Sequence, residues 1–317
     1  MQLDIAGVLA ELKSETGYLA AGETTYQPSY WNELHQKDMV PKGIKSPSEY
    51  DGSPALSIWC TQLDMPSAKQ KKLVAEWIDA LPHLQAIKSL WFVSRVSQEL
   101  FDAACKMPNL ADLDIKWSGI RSLEPIAALQ NLRHFRLGQS GAIESVQPIT
   151  HLNRLEWLFI EGVTKDSSLE AYNALSNLIG LGINGNEGKP LVVPSLLPLA
   201  KLTKLRWLHL GAIRATDGLL APLANLKRLE YLGLPNFFST EEFSQLAVKL
   251  PNTSCGRLAP YARYHPSVSP CRKCRTHGLV ATTGKGSKWL CPNCDADTLA
   301  KHIIRFRLAQ PRINGCY

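Results

Sequence analysis

Residues 110–137 read LADLDIKWSGIRSLEPIAALQNLRHFRL, and the same short phrase opens and closes the stretch. An apolar residue, two variable ones, a second apolar residue, one variable and a third apolar residue give Leu110-Leu113-Ile115, then Leu132-Phe135-Leu137. The phrase continues as Leu155-Leu158-Ile160, Leu178-Leu181-Ile183, Leu205-Leu208-Leu210 and Leu229-Leu232-Leu234, with a fainter copy, Ile87-Leu90-Phe92, upstream. Successive starts lie 23, 22, 23, 23, 27 and 24 residues apart. Six strong copies in phase do not arise by chance.

The second and third apolar residues of each phrase are two apart, so on an extended strand they share one side. One such unit cannot bury that side alone, whereas stacked neighbours make a continuous core under a parallel sheet. The return limbs carry apolar residues about three apart, as in Ile120, Leu123, Ile126 and Leu129, or Ile143, Val146, Ile149 and Leu152. That spacing suits a 3₁₀ or short helical turn. The pattern resembles the leucine-rich-repeat superfamily, in the style of short internalin-like bacterial repeats. The resemblance covers about half the chain. It implies an α/β solenoid of about seven repeats, with the parallel sheet on the concave side and 3₁₀ or short helices on the convex side. It names no partner, because such horseshoes bind many.

Repeats of that family usually place an asparagine three residues after the third leucine. Here the position holds Asn186 once, and otherwise Ser118, Ser140, Val163, Ile213 and Phe237. The asparagine ladder at the bend is therefore expected to be mostly missing or served by serine. An insert near 185–190 should bulge from the stack.

The chain divides into an N-terminal extension with a capping helix (1–85), the solenoid with a C-terminal capping helix (86–252), a Pro-rich linker (253–270) and a small terminal module (271–317). Leu3, Val8, Leu9 and Leu12 suggest a helix within 1–20, and Tyr26, Tyr30, Trp31 and Tyr50 are expected to pack a period-free stretch onto the first repeat. Residues 55–61 read as a strand. Ser67 with Gln70, and Ser239 with Glu242, read as capping boxes opening helices. Leu73, Val74, Trp77, Ile78 and Leu81 follow the first, and Phe243, Leu246 and Leu250 the second.

The net charge of +7 is unevenly spread. Residues 1–85 hold 7 basic and 11 acidic side chains, 86–250 hold 17 and 15, and 251–317 hold 11 and 2. Any polyanion should therefore meet the C-terminal end. The start of the chain, MQLDIAGVLAELKSE, carries acids where a secretory signal has lysine or arginine, and no run of about eighteen apolar residues occurs. A cytoplasmic, membrane-free setting is the expectation.

Four of the eight cysteines form two C-x-x-C pairs, Cys271/Cys274 and Cys291/Cys294, separated by sixteen residues. Each pair makes a tight knuckle, and two knuckles complete a tetrahedron around one metal ion. Between them, Gly284-Lys285-Gly286 reads as a hairpin turn, so the module resembles a zinc ribbon. Four protein thiolates leave no open coordination position, which points to one structural zinc per chain rather than a catalytic one. Iron in the same tetrahedron and disulfide bonds are the other two readings. Leu299, Ile303 and Phe306 then suggest a helix with Lys301, Arg305 and Arg307 on its other face.

Residues between the buried leucines should line the concave face in two columns. One reads Ser89, Asp112, His134, Trp157, Gly180, Trp207, Tyr231, and the other Trp91, Asp114, Arg136, Phe159, Gly182, His209, Gly233. Trp, Tyr and Arg dominate binding hot spots, so Trp91, Arg136, Trp157, Phe159, Trp207, His209 and Tyr231 are the candidate partner-binding residues. Gly180 and Gly182 are expected to leave a gap between Trp157 and Trp207. No phosphate loop, nucleophile elbow or catalytic metal spacing occurs, and neither Cys255 nor Cys316 sits in a domain suited to covalent ligase chemistry. The sequence therefore predicts a non-enzyme without a small-molecule substrate, one that binds a protein partner on the concave face. The alternative is a nucleic-acid-associated protein using the basic terminal module.

Overall fold

The structure is a computed structural model, and it describes residues 40–186, 189–263 and 270–310. The expected helix within 1–20, the aromatic residues Tyr26, Tyr30 and Trp31, Cys316 and part of the 185–190 insert lie outside the described residues.

A leucine-rich-repeat solenoid forms the body of the molecule. Its sheet has eight parallel strands, beginning β1 (Ala55–Ile58), β2 (Ser89–Phe92), β3 (Asp112–Ile115), β4 (His134–Leu137), β5 (Trp157–Glu161) and β6 (Gly180–Asn184). β7 (Leu191–Val193) leaves this sheet, β8 (Trp207–Gly211) rejoins it, β9 (Ile213–Ala215) pairs with β7 in a small second sheet, and β10 (Tyr231–Gly233) ends the main one. The paired apolar residues of each phrase point into one continuous core: Leu90 and Phe92, Leu113 and Ile115, Phe135 and Leu137, Leu158 and Ile160, Leu181 and Ile183, and Leu208 and Leu210 are all buried.

The sheet starts one strand earlier than the repeat phrase indicates. β1 contributes Leu56 and Ile58 to the same core, so there are eight strands rather than seven. The helix that follows, α1 (Ser67–Ala80), packs beside α2 (Gln98–Ala104), which makes it the return limb of a first repeat. Its expected capping box is absent. Pro66 takes the N-cap position, and Gln70 instead accepts a hydrogen bond from the Leu63 backbone at 3.0 Å. Trp77 anchors the helix, buried and donating to the Lys45 carbonyl at 2.7 Å.

Four return limbs are 3₁₀ turns: Glu124–Ala128, Gln147–His151, Leu197–Lys201 and Ala221–Asn225. Each carries proline second, Pro125, Pro148, Pro198 and Pro222, where a fixed φ helps and the missing N–H has no partner to lose. The repeat between Gln147–His151 and Leu197–Lys201 uses the four-residue helix α3 (Glu170–Asn173) instead. The bend is served by serine, as expected: Ser118 and Ser140 are buried and share a 2.6 Å hydrogen bond across adjacent repeats. A second ladder lies on the other side of each strand, before the phrase. Asn109, Asn131 and Asn177, each immediately before the first leucine of a phrase, donate to the Gln85, Pro108 and Asn153 carbonyls of the preceding repeat at 2.9, 3.0 and 2.8 Å. Where the equivalent residue is basic, Arg154 and Lys204 reach back to the Asn131 and Asn177 side chains, both at 2.8 Å.

α4 (Thr240–Lys249) closes the last repeat. Ser239 accepts from the Glu242 backbone at 3.2 Å, but the Glu242 carboxylate reaches away to the Leu220 N–H at 2.6 Å, so only half of the expected capping box forms. The terminal module is an antiparallel sheet of β11 (Tyr261–Arg263), β12 (Val280–Thr282) and β13 (Trp289–Leu290), with α5 (Ala296–Leu308) against it. Gly284 and Gly286 take positive φ in the β12–β13 turn, the conformation glycine adopts without strain.

The module does not stand apart on a linker. Val280, Leu290, Leu299, Ala300, Ile303 and Ile304 form its own small core, but Phe306 leaves them and enters the solenoid core. Ser244 donates its hydroxyl to the Phe306 carbonyl. Thr240 donates to the Thr283 carbonyl at 3.0 Å, Lys285 N–H to the Phe238 carbonyl at 2.7 Å, and Arg305 to Glu241 at 2.7 Å. An apolar solenoid end must be covered, and this module covers it.

Both outer strands are bridged at their edges. Ile44 exchanges backbone hydrogen bonds with Ser57 and Trp59, both at 2.9 Å, and Ser254 does so with Leu232 and Glu230 at 3.0 and 2.8 Å. Among the described residues, no helix is long and apolar enough to cross a membrane.

Candidate functional site

The strand register sets the two predicted columns side by side. Ser89, Asp112, His134, Trp157, Gly180, Trp207 and Tyr231 are successive cross-strand partners, as are Trp91, Asp114, Arg136, Phe159, Gly182, His209 and Gly233. The face they make has two parts.

Its N-terminal half is polar. Asp112 accepts hydrogen bonds from Ser89 and His134, and Arg136 Nη1 reaches both oxygens of the buried Asp114 at 3.3 Å. Trp91, expected to be exposed there, is 6% exposed. The additional strand β1 explains this: Ser57 lies on one side of Trp91 and Asp114 on the other, so the ring is flanked from both directions.

The C-terminal half is aromatic. Trp207 stacks between its neighbours, with ring centroids 5.9 Å from His209 and 5.5 Å from Tyr231, each at 23°. Trp157 meets Trp207 at 6.4 Å and 49°. Trp157, Phe159, Trp207, His209 and Tyr231 are all half-buried. The gap expected at Gly180 and Gly182 does not exist, because the Trp157 ring lies over Gly180 and the Phe159 ring over Gly182, where any Cβ would collide with them. Both glycines are buried. Only the absence of their side chains lets the aromatic rings lie flat across the next strand. Burial lowers the His209 pKa below its ordinary value and, with the nearby Cys255, pushes Tyr231 up to about 12. Both side chains are thus neutral at pH 7, and the face offers flat, uncharged rings.

The second constellation is the cysteine cluster. All four sulfurs of Cys271, Cys274, Cys291 and Cys294 lie within 4.8 Å of one another, with Cys271–Cys294 at 3.9 Å and Cys274–Cys291 at 3.6 Å. A tetrahedron with ~2.3 Å metal–sulfur bonds has edges of about 3.8 Å, whereas a disulfide needs ~2.05 Å. The donor set therefore fits one tetrahedral ion and not a pair of disulfides. The knuckles are shaped by the backbone. Cys271 accepts from Arg275 N–H, which stands at positive φ, and Cys291 accepts from Asp295 N–H at 2.8 Å while donating to the Asp295 carboxylate at 2.9 Å. Thr276 Oγ1 lies 2.9 Å from Cys274 Sγ and this contact holds the Cys274 thiol down at about 6, whereas the neighbouring thiols, Cys274 first, push Cys294 up to about 12. Backbone N–H groups lower Cys271 likewise. Lys273 pairs with Asp295 at 3.0 Å within the module, and Arg305 pairs with Glu241 of α4 and ties the module to the solenoid.

No protein-family model and no curated protein matches the sequence. Solved structures that resemble it include an internalin from Listeria monocytogenes, at 23% identity over 55% of this chain and 55% of that one, TM-score 0.43. An internalin C2 of the same species matches at 24% identity over 57% and 80% of the two chains, TM-score 0.45. A leucine-rich-repeat protein of Leptospira interrogans matches at 18% identity over 67% and 52%, TM-score 0.48. The chain spans about half the length of the first and third of these.

Proposed function

We propose that this chain is a non-enzymatic interaction module. It grips a protein partner on the concave face, and its terminal module carries one structural zinc ion. The observation that supports the reading is the stacked array of Trp157, Trp207, His209 and Tyr231 on a pre-formed sheet. Rings already packed against each other lose little conformational freedom on binding, and half-buried aromatic side chains have apolar area left to bury. Cys271, Cys274, Cys291 and Cys294 would hold the zinc, which would supply folding energy and no chemistry. A cytoplasmic setting, in which the thiols stay reduced, suits such a site.

The test is to capture partners with the full chain and with Trp157→Ala/Trp207→Ala, identify those lost by mass spectrometry, and titrate them. The double variant should retain its fold and lose at least about 2 kcal/mol of binding. Wild-type affinity in a folded double variant overturns the concave-face reading. Salt-sensitive retention of the chain on nucleic acid, undiminished in that variant, favours the basic-module alternative.

A further inference from the structure

Beyond Tyr231 the aromatic array runs into a cavity of about 240 Å³. His209 and Tyr231 line it together with the segment carrying Ser254, Cys255, Gly256 and Arg257. Among the described residues, Arg257 is the only charged one lining it, and no carboxylate does. Its Nη1 is buried and finds no hydrogen-bond acceptor among the described residues. The floor is glycine for a reason. A Cβ at Gly233 would collide with His209 Nδ1 and stand 2.9 Å from the Tyr231 hydroxyl, so the bare backbone lets these two polar groups converge over it.

We propose that this cavity, resting on the concave-face reading above, is the specificity pocket of that face and takes the carboxylate side chain of an aspartate or glutamate from the partner. A guanidinium fork matches the two oxygens of a carboxylate, and a buried charged donor is completed by an anionic acceptor. The charge balance favours a monoanion. Burial pushes the Cys255 thiol up to about 11, so it does not neutralise Arg257, and burial keeps His209 uncharged at pH 7. One cation with neutral donors beside it matches one carboxylate better than a phosphate dianion. The neighbouring rings would meanwhile cover the aliphatic stem of the acidic residue. The site escapes sequence inspection because Arg257 lies 24 residues beyond Gly233, outside the repeat phrase.

The experiment follows the Arg257 guanidinium resonance in the arginine-labelled full chain during titration with small probes. N-acetyl-glutamate α-amide presents a side-chain carboxylate, N-acetyl-glycine a terminal one, N-acetyl-glutamine α-amide none, and inorganic phosphate a different anion. The expected result is saturable binding of the glutamate probe, at least about tenfold tighter than the glutamine probe. Arg257→Gln should abolish it and Arg257→Lys weaken it, each with its melting curve recorded. Tyr231→Phe, which keeps the ring stack, should weaken binding without loss of fold. No saturable shift, equal response to the glutamine probe, tighter binding of phosphate or N-acetyl-glycine, or unchanged binding in a folded Arg257→Gln overturns the proposal. Trp157→Ala separates the two readings: probe binding that survives it, with no partner lost from the double variant, leaves the pocket standing and removes the concave-face function.

Discussion

Trp157 lies across Gly180. Its six-membered ring occupies the space a side chain at residue 180 would need, and in this position it reaches the Trp207 ring two strands away at 6.4 Å. The glycine belongs to one repeat, the ring to its neighbour and the contact to the next, so three repeats share one aromatic arrangement.

Gly180→Ala should therefore act through Trp157. The added methyl displaces the ring, at a cost of about 1–3 kcal/mol, the usual range for overpacking. Tryptophan fluorescence should change with it. In a Trp157→Ala background the same substitution should be nearly neutral, and urea unfolding of the four proteins gives the coupling directly.

Leu181 and Gly182 are adjacent and point to opposite faces. Leu181→Asp places an unpaired carboxylate in the core and should prevent folding. Gly182→Ser should cost about 1–3 kcal/mol, because Phe159 lies in its way. Circular dichroism and urea melts rank the two; a Gly182→Ser melt identical to wild type would show that the Phe159 ring has room to swing aside.

Metal removal should reach the solenoid. Phe306 sits in the solenoid core while its helix is held by the cysteine module, so Cys291→Ser, or a chelator, should lower the melting temperature of the repeats as well as unfold the module. Phe306→Ala should cost about 3–5 kcal/mol even with metal bound. Elemental analysis should find one zinc per wild-type chain. A solenoid melt indifferent to both changes would show that the two cores are independent.

Acid should weaken the fold through two histidines. Burial lowers the pKa of His209 and of His302 below the ordinary 6.5. The unfolded chain then binds protons first, so this stability is complete above about pH 6.5 and is lost as pH falls through the folded values. His209→Gln and His302→Gln should each flatten the dependence of urea stability on pH below about 6.5.

The period-two placement of apolar residues made both concave columns legible, since one phase error would have reversed every side chain. The four cysteines were legible from their spacing. What the sequence hid was contact between neighbours. Nothing in the letters at 157 and 180 says that an indole fills the space left by a glycine, and nothing at 91 shows that an eighth strand flanks it. Residues 55–58 carry no repeat phrase, so their sequence marks a strand without marking its membership of the sheet. The asparagine ladder stands outside the family's usual position after the third leucine, since Asn109, Asn131 and Asn177 precede the first.

The edge bridges at Ile44 and Ser254 restrict how anything can attach to this molecule. A parallel sheet with open ends invites another chain to add a strand through backbone hydrogen bonds, which read little of the incoming sequence. Here each outer strand already exchanges hydrogen bonds with a segment of its own chain. Any chain that attaches would therefore have to be read through side chains rather than the indiscriminate backbone, and the same two bridges oppose end-to-end growth of the sheet into a fibre.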